Sequence, residues 1–223
     1  MRDTLLRQAC IKFSAGVVLV GILLFLPAGT FVFPHAWLFM ALLFVPMFIG
    51  GLVMHRKAPE LLKRRLKAKE AEGEQRMVIA LSGVMFLAGF VLAGLRLRFQ
   101  WSVLPLWGVC AASLVFLIGY GMFALVLREN AYLSRTIEVQ AGQKVVDTGL
   151  YGIVRHPMYT ATLLMFLTMP LILGSWQAFL VFLVYPLLIV KRIRNEEAVL
   201  LRDLDGYEAY CRKNKYRLIP FIW

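Results

Sequence analysis

Residues 13–54 run for 42 positions without an Asp, Glu, Lys or Arg, and that stretch restricts the chain more than any other feature. A soluble domain could not shield such a run from water, whereas a helix of ~20 apolar residues crosses a bilayer. Pro27, Gly29 and Pro34 supply a break near its middle, so the run reads as two membrane helices. Residues 77–95 add a charge-free stretch of 19, and residues 99–127 one of 29. The expectation is an all-α integral membrane protein with four long transmembrane helices. The overall composition, 60% apolar with mean hydropathy +0.71, agrees with it.

The N-terminus invites a second reading, because Arg2, Arg7 and Lys12 before an apolar run resemble a cleaved leader. The run continues directly into the next span, and no small-x-small site followed by a polar start interrupts it. It is therefore read as a span. Residues 157–190 differ again: two apolar arms, 159–173 and 177–190, flank Gly174-Ser175 and are 15 and 14 residues long. At ~1.5 Å per residue each arm reaches only roughly 22 Å of the ~30 Å hydrocarbon core, which predicts a short, tilted or partly inserted helical hairpin. The expected organisation is residues 1–128 as N-terminal membrane helices with a basic interfacial loop at 55–76, then 129–223 as a core built from a polar loop, the hairpin and a C-terminal helix.

Charge sets the expected orientation. Of 25 Lys and Arg, 3 precede the first span, 8 lie in 55–76, 2 (Arg96 and Arg98) border the loop before the fourth span, and 12 follow residue 127. The positive-inside bias then places both termini in the cytoplasm, in a bacterial inner membrane or the endoplasmic reticulum. The net charge of +12 reads as this asymmetry plus attraction to anionic lipid headgroups, not as nucleic-acid binding, because no basic stripe interleaves with exposed aromatics. Ala58 to Lys67, with Pro59 suited to a first turn, reads as a helix on the headgroups, with Leu62 and Leu66 on one side of dense cations. Near the other end Leu200, Leu204, Tyr207 and Cys211 recur at helical spacing, interrupted at Asp205-Gly206. Cys10, Cys110 and Cys211 have neither disulfide-framework nor metal-ligand spacing, so no metal is expected. The sequence ends Pro-Phe-Ile-Trp, so CaaX lipidation is not expected.

Polar chemistry concentrates at the mouth of the hairpin. In Arg155-His156-Pro157 the proline disfavours helical geometry at His156, which holds an imidazole and a guanidinium at the membrane surface, close to Tyr159. The turn at Gly174-Ser175 returns the chain to that surface, where Glu196-Glu197 follow Arg192 and Arg194. A purely local account pairs Arg192 with Glu196 one helical turn away and leaves Glu197 without a role. S-adenosylmethionine has an ammonium and a ribose diol that seek carboxylates, an α-carboxylate that seeks Arg or His, and an adenine that seeks an apolar slot. Glu196, Glu197, Arg155, His156, Tyr151 and Tyr159 would meet those needs, although a nucleotide or lipid headgroup is compatible with the same residue types. Neither a Gly-x-Gly-x-x-Gly fingerprint nor a strand pattern is present, which excludes a Rossmann domain.

Gly149-x-Tyr151-x-x-x-Arg155-His156-Pro157-x-Tyr159, Glu196-Glu197, Gly206-Tyr207-x-x-Tyr210 and Tyr216-Arg217-x-Ile219-Pro220 occur in that order. Together they resemble the isoprenylcysteine carboxyl methyltransferase family, a branch of the membrane methyltransferases that includes phospholipid N-methyltransferases. The resemblance covers about residues 129–223. It implies S-adenosylmethionine as cofactor, bound by Tyr151, Arg155, His156, Pro157, Tyr159, Glu196 and Glu197. It also implies a lipidic substrate entering from the bilayer, and a basic residue for the substrate carboxylate, for which Arg192 and Arg194 both qualify. One departure is Thr160-Ala161, where the family often has glycine two residues after the motif tyrosine; an alanine Cβ would crowd a close backbone approach.

The expected activity is transfer of the sulfonium methyl to the carboxylate of a prenylcysteine-like or other lipidic acid. An ionised carboxylate needs no general base, so catalysis would reduce to positioning in a dry site. Stepwise N-methylation of an ethanolamine phospholipid is the alternative and would need His156 or a glutamate to handle a proton. A non-catalytic membrane sensor or assembly protein on the same fold is the third reading.

Overall fold

The computed structural model describes residues 2–66, 73–133, 139–140 and 142–223. Proline and glycine divide the apolar stretches into helices. Helix α1 (Arg2–Ala28) ends at Gly29, whose φ is +70°, and α2 (Pro34–Lys57) opens on a proline, which needs no N–H partner in a first turn. Then come α3 (Pro59–Leu66), α4 (Gly73–Arg98) and α5 (Leu106–Glu129). A 3₁₀ turn at Gly149–Gly152 precedes α6 (Pro157–Ile172), α7 (Trp176–Phe182), α8 (Tyr185–Asp203) and α9 (Tyr207–Lys213). Among the described residues no strand forms, only an isolated antiparallel bridge between Val103 and Ser175. The all-α membrane class expected from the sequence is present.

The hairpin differs from the expectation. Its first arm, α6, is short at 16 residues, but the second is not: α7 and α8, separated by a turn at residues 183–184, together cover Trp176–Asp203 and 28 residues. Among the described residues, five helical stretches are therefore long and apolar enough to cross a membrane, one more than the four long runs of the sequence. Helical hydrogen bonding does not stop where hydrophobicity does. Pro186 sits in the first turn of α8, and the following Lys, Arg, Asn and Glu residues are tolerated in a helix, so it continues past residue 190. That extension places Arg192, Glu196 and Glu197 on a rigid element.

The bundle has two unlike ends. At one, the loops after α1, α4 and α6 meet: the Leu104 N–H donates to the Gly174 carbonyl at 3.2 Å, and Gly174 lies against Arg96 and His35. At the other, Lys12 donates to the Leu66 carbonyl and Arg64 to the Ala131 carbonyl. Residues 4–59, 75–128 and 148–195 contain no Asp or Glu, so the carboxylates among the described residues belong to this second, polar end. Helix α3 is drawn into the bundle more than a headgroup helix need be. Leu61 and Leu62 are buried, Leu66 is half-buried, and Arg65 lies over the Phe123 ring of α5.

Phe33, Phe39, Phe116 and Phe182 are fully buried where the helices converge, with Phe86 edge-on to both Phe166 and Phe182. Exposed Val18, Leu26, Val45, Trp107 and Leu114 suit a surface that meets lipid. Because lipid removes the hydrophobic drive between helices, close packing of small residues matters more. A Cβ added at Gly94 would stand 2.5 Å from the Leu24 carbonyl oxygen, so α1 and α4 touch there without room for a side chain. Gly94→Val is expected to cost ~1–3 kcal/mol and lower the Tm in detergent; an unchanged Tm would show that this contact yields.

Candidate functional site

The elbow before α6 is held on both sides. His156 is the N-cap of α6 with φ −124° and ψ 60°, and Pro157 is its first helical residue, as the Arg-His-Pro order predicts. The Arg155 N–H donates to the Tyr216 carbonyl at 2.8 Å and the His156 N–H to the Arg217 carbonyl at 2.9 Å. Thr160 Oγ1 donates to the Leu218 carbonyl at 2.7 Å. The C-terminal segment is thus strapped along the elbow.

Glu197 is the carboxylate that binds these pieces together. Its Oε1 lies 3.3 Å from His156 Nε2 and 3.0 Å from Arg155 Nε, while Arg217 Nε donates to its Oε2 at 2.7 Å. The Arg155 contact is electrostatic, since that N–H is not aligned for a hydrogen bond. The Glu197 side chain is only 7% exposed, and both of its oxygens are engaged within the protein.

Glu196, about 100° further round α8, faces elsewhere. Tyr159 donates its hydroxyl to Glu196 Oε2 and accepts a 2.8 Å bond from Arg192 Nε, so one phenol stands between two residues that the sequence paired directly. Arg192 also lies over the Tyr159 ring, 5.9 Å from its centroid. From α4, the fully buried Gln75 accepts from Arg192 Nη1 at 3.2 Å and donates through Nε2 to the Arg192 carbonyl at 3.4 Å.

Tyr151 arrives on the 3₁₀ turn, whose entry depends on Gly149 at φ +56°. A Cβ there would fall 2.0 Å from Glu129 Oε1, the carboxylate whose Oε2 accepts from the Leu150 N–H at 3.1 Å. The Tyr151 hydroxyl accepts from Asn130 Nδ2 at 3.0 Å, and its carbonyl accepts from the Tyr210 hydroxyl and Asn214 Nδ2, each at 2.7 Å.

These groups border an open cleft of about 850 Å³, its solvent mouth included. Tyr151, Arg155, His156, Tyr159, Arg192 and Glu196 line it, whereas Glu197 stands behind the wall, Pro157 is buried at the elbow, and Arg194 is exposed outside it. Leu133, Val145, Val146, Leu200 and Leu204 supply an apolar side. Ala161 is buried with its carbonyl towards Gly119 of α5 and is not among the walls, so its Cβ does not crowd the cleft. Burial raises Tyr151 and Tyr207 far above the usual phenol range and pushes Tyr210 up to about 12, which keeps all three as hydroxyl donors at neutral pH.

Sequence reasoning did not single out Gln75, Glu129 or Asn130, which have no motif around them. Tyr207, Tyr210 and Arg217 belong to recurring patterns in the sequence that do not mark them individually as site residues. The cleft fits S-adenosylmethionine in kind: an apolar side suits adenine, carboxylate and phenol groups suit a diol and an ammonium, and a cationic elbow suits a carboxylate. The Tyr207 hydroxyl, buried in the cleft wall without a hydrogen-bond partner among the described residues, marks a place for a polar ligand group.

Two comparisons bear on this arrangement. The phospholipid methyltransferase family model matches residues 107–204, from the start of α5 to the end of α8, and so contains the turn, the elbow and both glutamates. The chain is also similar to the Delta(14)-sterol reductase TM7SF2 of Mus musculus, 31% identical over 91 residues that make up 40% of this chain. The matched part is only 22% of that relative's length.

Proposed function

We propose that this chain is an S-adenosylmethionine-dependent membrane methyltransferase that O-methylates the carboxylate of a lipidic acid, prenylcysteine-like in kind. The observation that supports it is one cleft joining Arg155, His156, Tyr159, Glu196 and Arg192 inside the region matched by a membrane methyltransferase family. In this reading Arg155 and His156 receive the cofactor carboxylate, Glu196 and Tyr207 receive its ribose and ammonium, and Val145, Val146, Leu200 and Leu204 flank adenine. Glu197 does not touch the cofactor directly but holds Arg155 and His156 in place. Bound S-adenosylmethionine supplies an electrophilic methyl: a C–O bond forms as the S–CH₃ bond breaks, its electron pair stays on sulfur, and the acceptor carboxylate becomes a neutral ester. Arg192 grips that carboxylate, and no proton has to move. In this reading the cleft and both termini are cytoplasmic and the basic segments meet anionic headgroups, which the distribution of Lys and Arg supports.

N-methylation of an ethanolamine phospholipid is the second reading, favoured by the family matched. It requires Glu196 or His156 to take up a proton. Incubating the purified protein with methyl-labelled cofactor, prenylcysteine analogues and phospholipids, followed by mass spectrometry, separates the readings. Label in a base-labile ester is the expected result, and label on an ethanolamine nitrogen would transfer the assignment to the second reading. Saturable cofactor binding without any labelled product would point to a sensor, and absence of cofactor binding would end both enzyme readings.

Arg192→Met is expected to lower kcat/KM for the acid about 100-fold while changing cofactor affinity little, since a charge-assisted pair is lost. Arg194→Met, outside the cleft, should stay within about twofold of the parent. Equal effects in the two steady-state assays would contradict the assignment of Arg192.

A further inference from the structure

We propose that Gln75 of α4 is the positioning residue that presents Arg192 to an anionic acceptor; the proposal rests on the methyltransferase reading above. A primary amide with no exposed surface is costly unless its polar atoms are bonded, and both of these are committed to a single residue. Gln75 Oε1 holds the guanidinium and Gln75 Nε2 holds the backbone carbonyl of Arg192, across 117 positions of sequence. The Tyr159 hydroxyl takes Arg192 Nε from the α6 side. A long flexible side chain is thereby fastened at Nε and Nη1 by two different helices, which sets the plane of its donor fork. Planar donors recognise a carboxylate only when that plane is right.

Gln75 brings no charge to this clamp. A glutamate at position 75 could hold the same nitrogen but would add a negative charge beside Arg192 and repel an incoming carboxylate. An amide orients the guanidinium without opposing the acceptor. The contribution also comes from outside residues 107–204, so α4 adds to the site a side chain that lies beyond the matched family region.

The test uses the full chain in detergent or nanodiscs and two near-isosteric variants. Gln75→Met removes both hydrogen bonds; it should raise the acceptor KM about 10-fold and lower kcat, with cofactor affinity unchanged. Gln75→Glu retains one contact to Arg192; its Tm should match the parent, yet KM should rise about 10-fold for a carboxylate acceptor while the Ki of the corresponding methyl amide, used as a competitive inhibitor, stays unchanged. Parent-like KM and kcat in Gln75→Met, measured while the parent enzyme turns over, would overturn the proposal. So would a parallel fall of Tm, cofactor affinity and activity in both variants, which would mark a purely structural residue. Failure of the parent itself to transfer methyl to any acceptor would instead overturn the methyltransferase reading on which the proposal stands.

Discussion

Glu197→Gln should abolish saturable cofactor binding at accessible concentrations while leaving the long helices assembled. The carboxylate is the common partner of Arg155, His156 and Arg217, and it is only 7% exposed. A neutral amide leaves those groups facing one another without a counter-charge, and removing one partner of a buried ionic cluster costs ~3–5 kcal/mol. The backbone bonds from Arg155 and His156 to the C-terminal segment remain, so the loss falls on the shape of the elbow and not on the bundle. A loss of ~3 kcal/mol in the bound geometry corresponds to more than ~100-fold in Kd. Calorimetric titration with S-adenosylmethionine, beside a far-UV spectrum showing retained helix, is the check. Parent-like affinity would mean that the cofactor does not use the elbow.

Gly149→Ala is expected to be nearly as damaging. A non-glycine residue at φ +56° costs ~1–3 kcal/mol, and the new Cβ would also have to displace Glu129, releasing the Leu150 N–H that its carboxylate accepts. The turn that delivers Tyr151 would then shift. Cofactor affinity should fall by roughly two orders of magnitude, and Glu129→Ala in the same chain should restore part of it by removing the collision but not the backbone strain. An additive double variant would show that Glu129 and Gly149 do not meet as described.

The membrane class was legible because it depends on runs of residues that cannot be dissolved in water. The length of α8 was not, because the apolar run ends at Val190, whereas the helix continues through Lys191, Arg192 and the two glutamates. The elbow was legible because proline acts on its immediate neighbour. Arg192 and Arg194 were indistinguishable by type, yet they lie about 200° apart on α8, so one reaches the cleft and the other the exterior. Glu196 and Glu197 are separated in the same way: one lines the cleft and the other stands behind it. Gln75 had no local signal, since its partner is distant in sequence and a single amide at the start of a span resembles any polar flank.

What the sequence by itself determined is therefore what short-range chemistry dictates: where apolar runs must enter lipid, where proline and glycine turn the chain, and which polar residues gather near the membrane surface. Only the tertiary structure decided which carboxylate faces the cleft, which serves as a buried counter-ion, and which arginine is held ready. Those outcomes depend on the rotation of α8 against α4 and α6, and that rotation is set by packing among residues far apart in the chain.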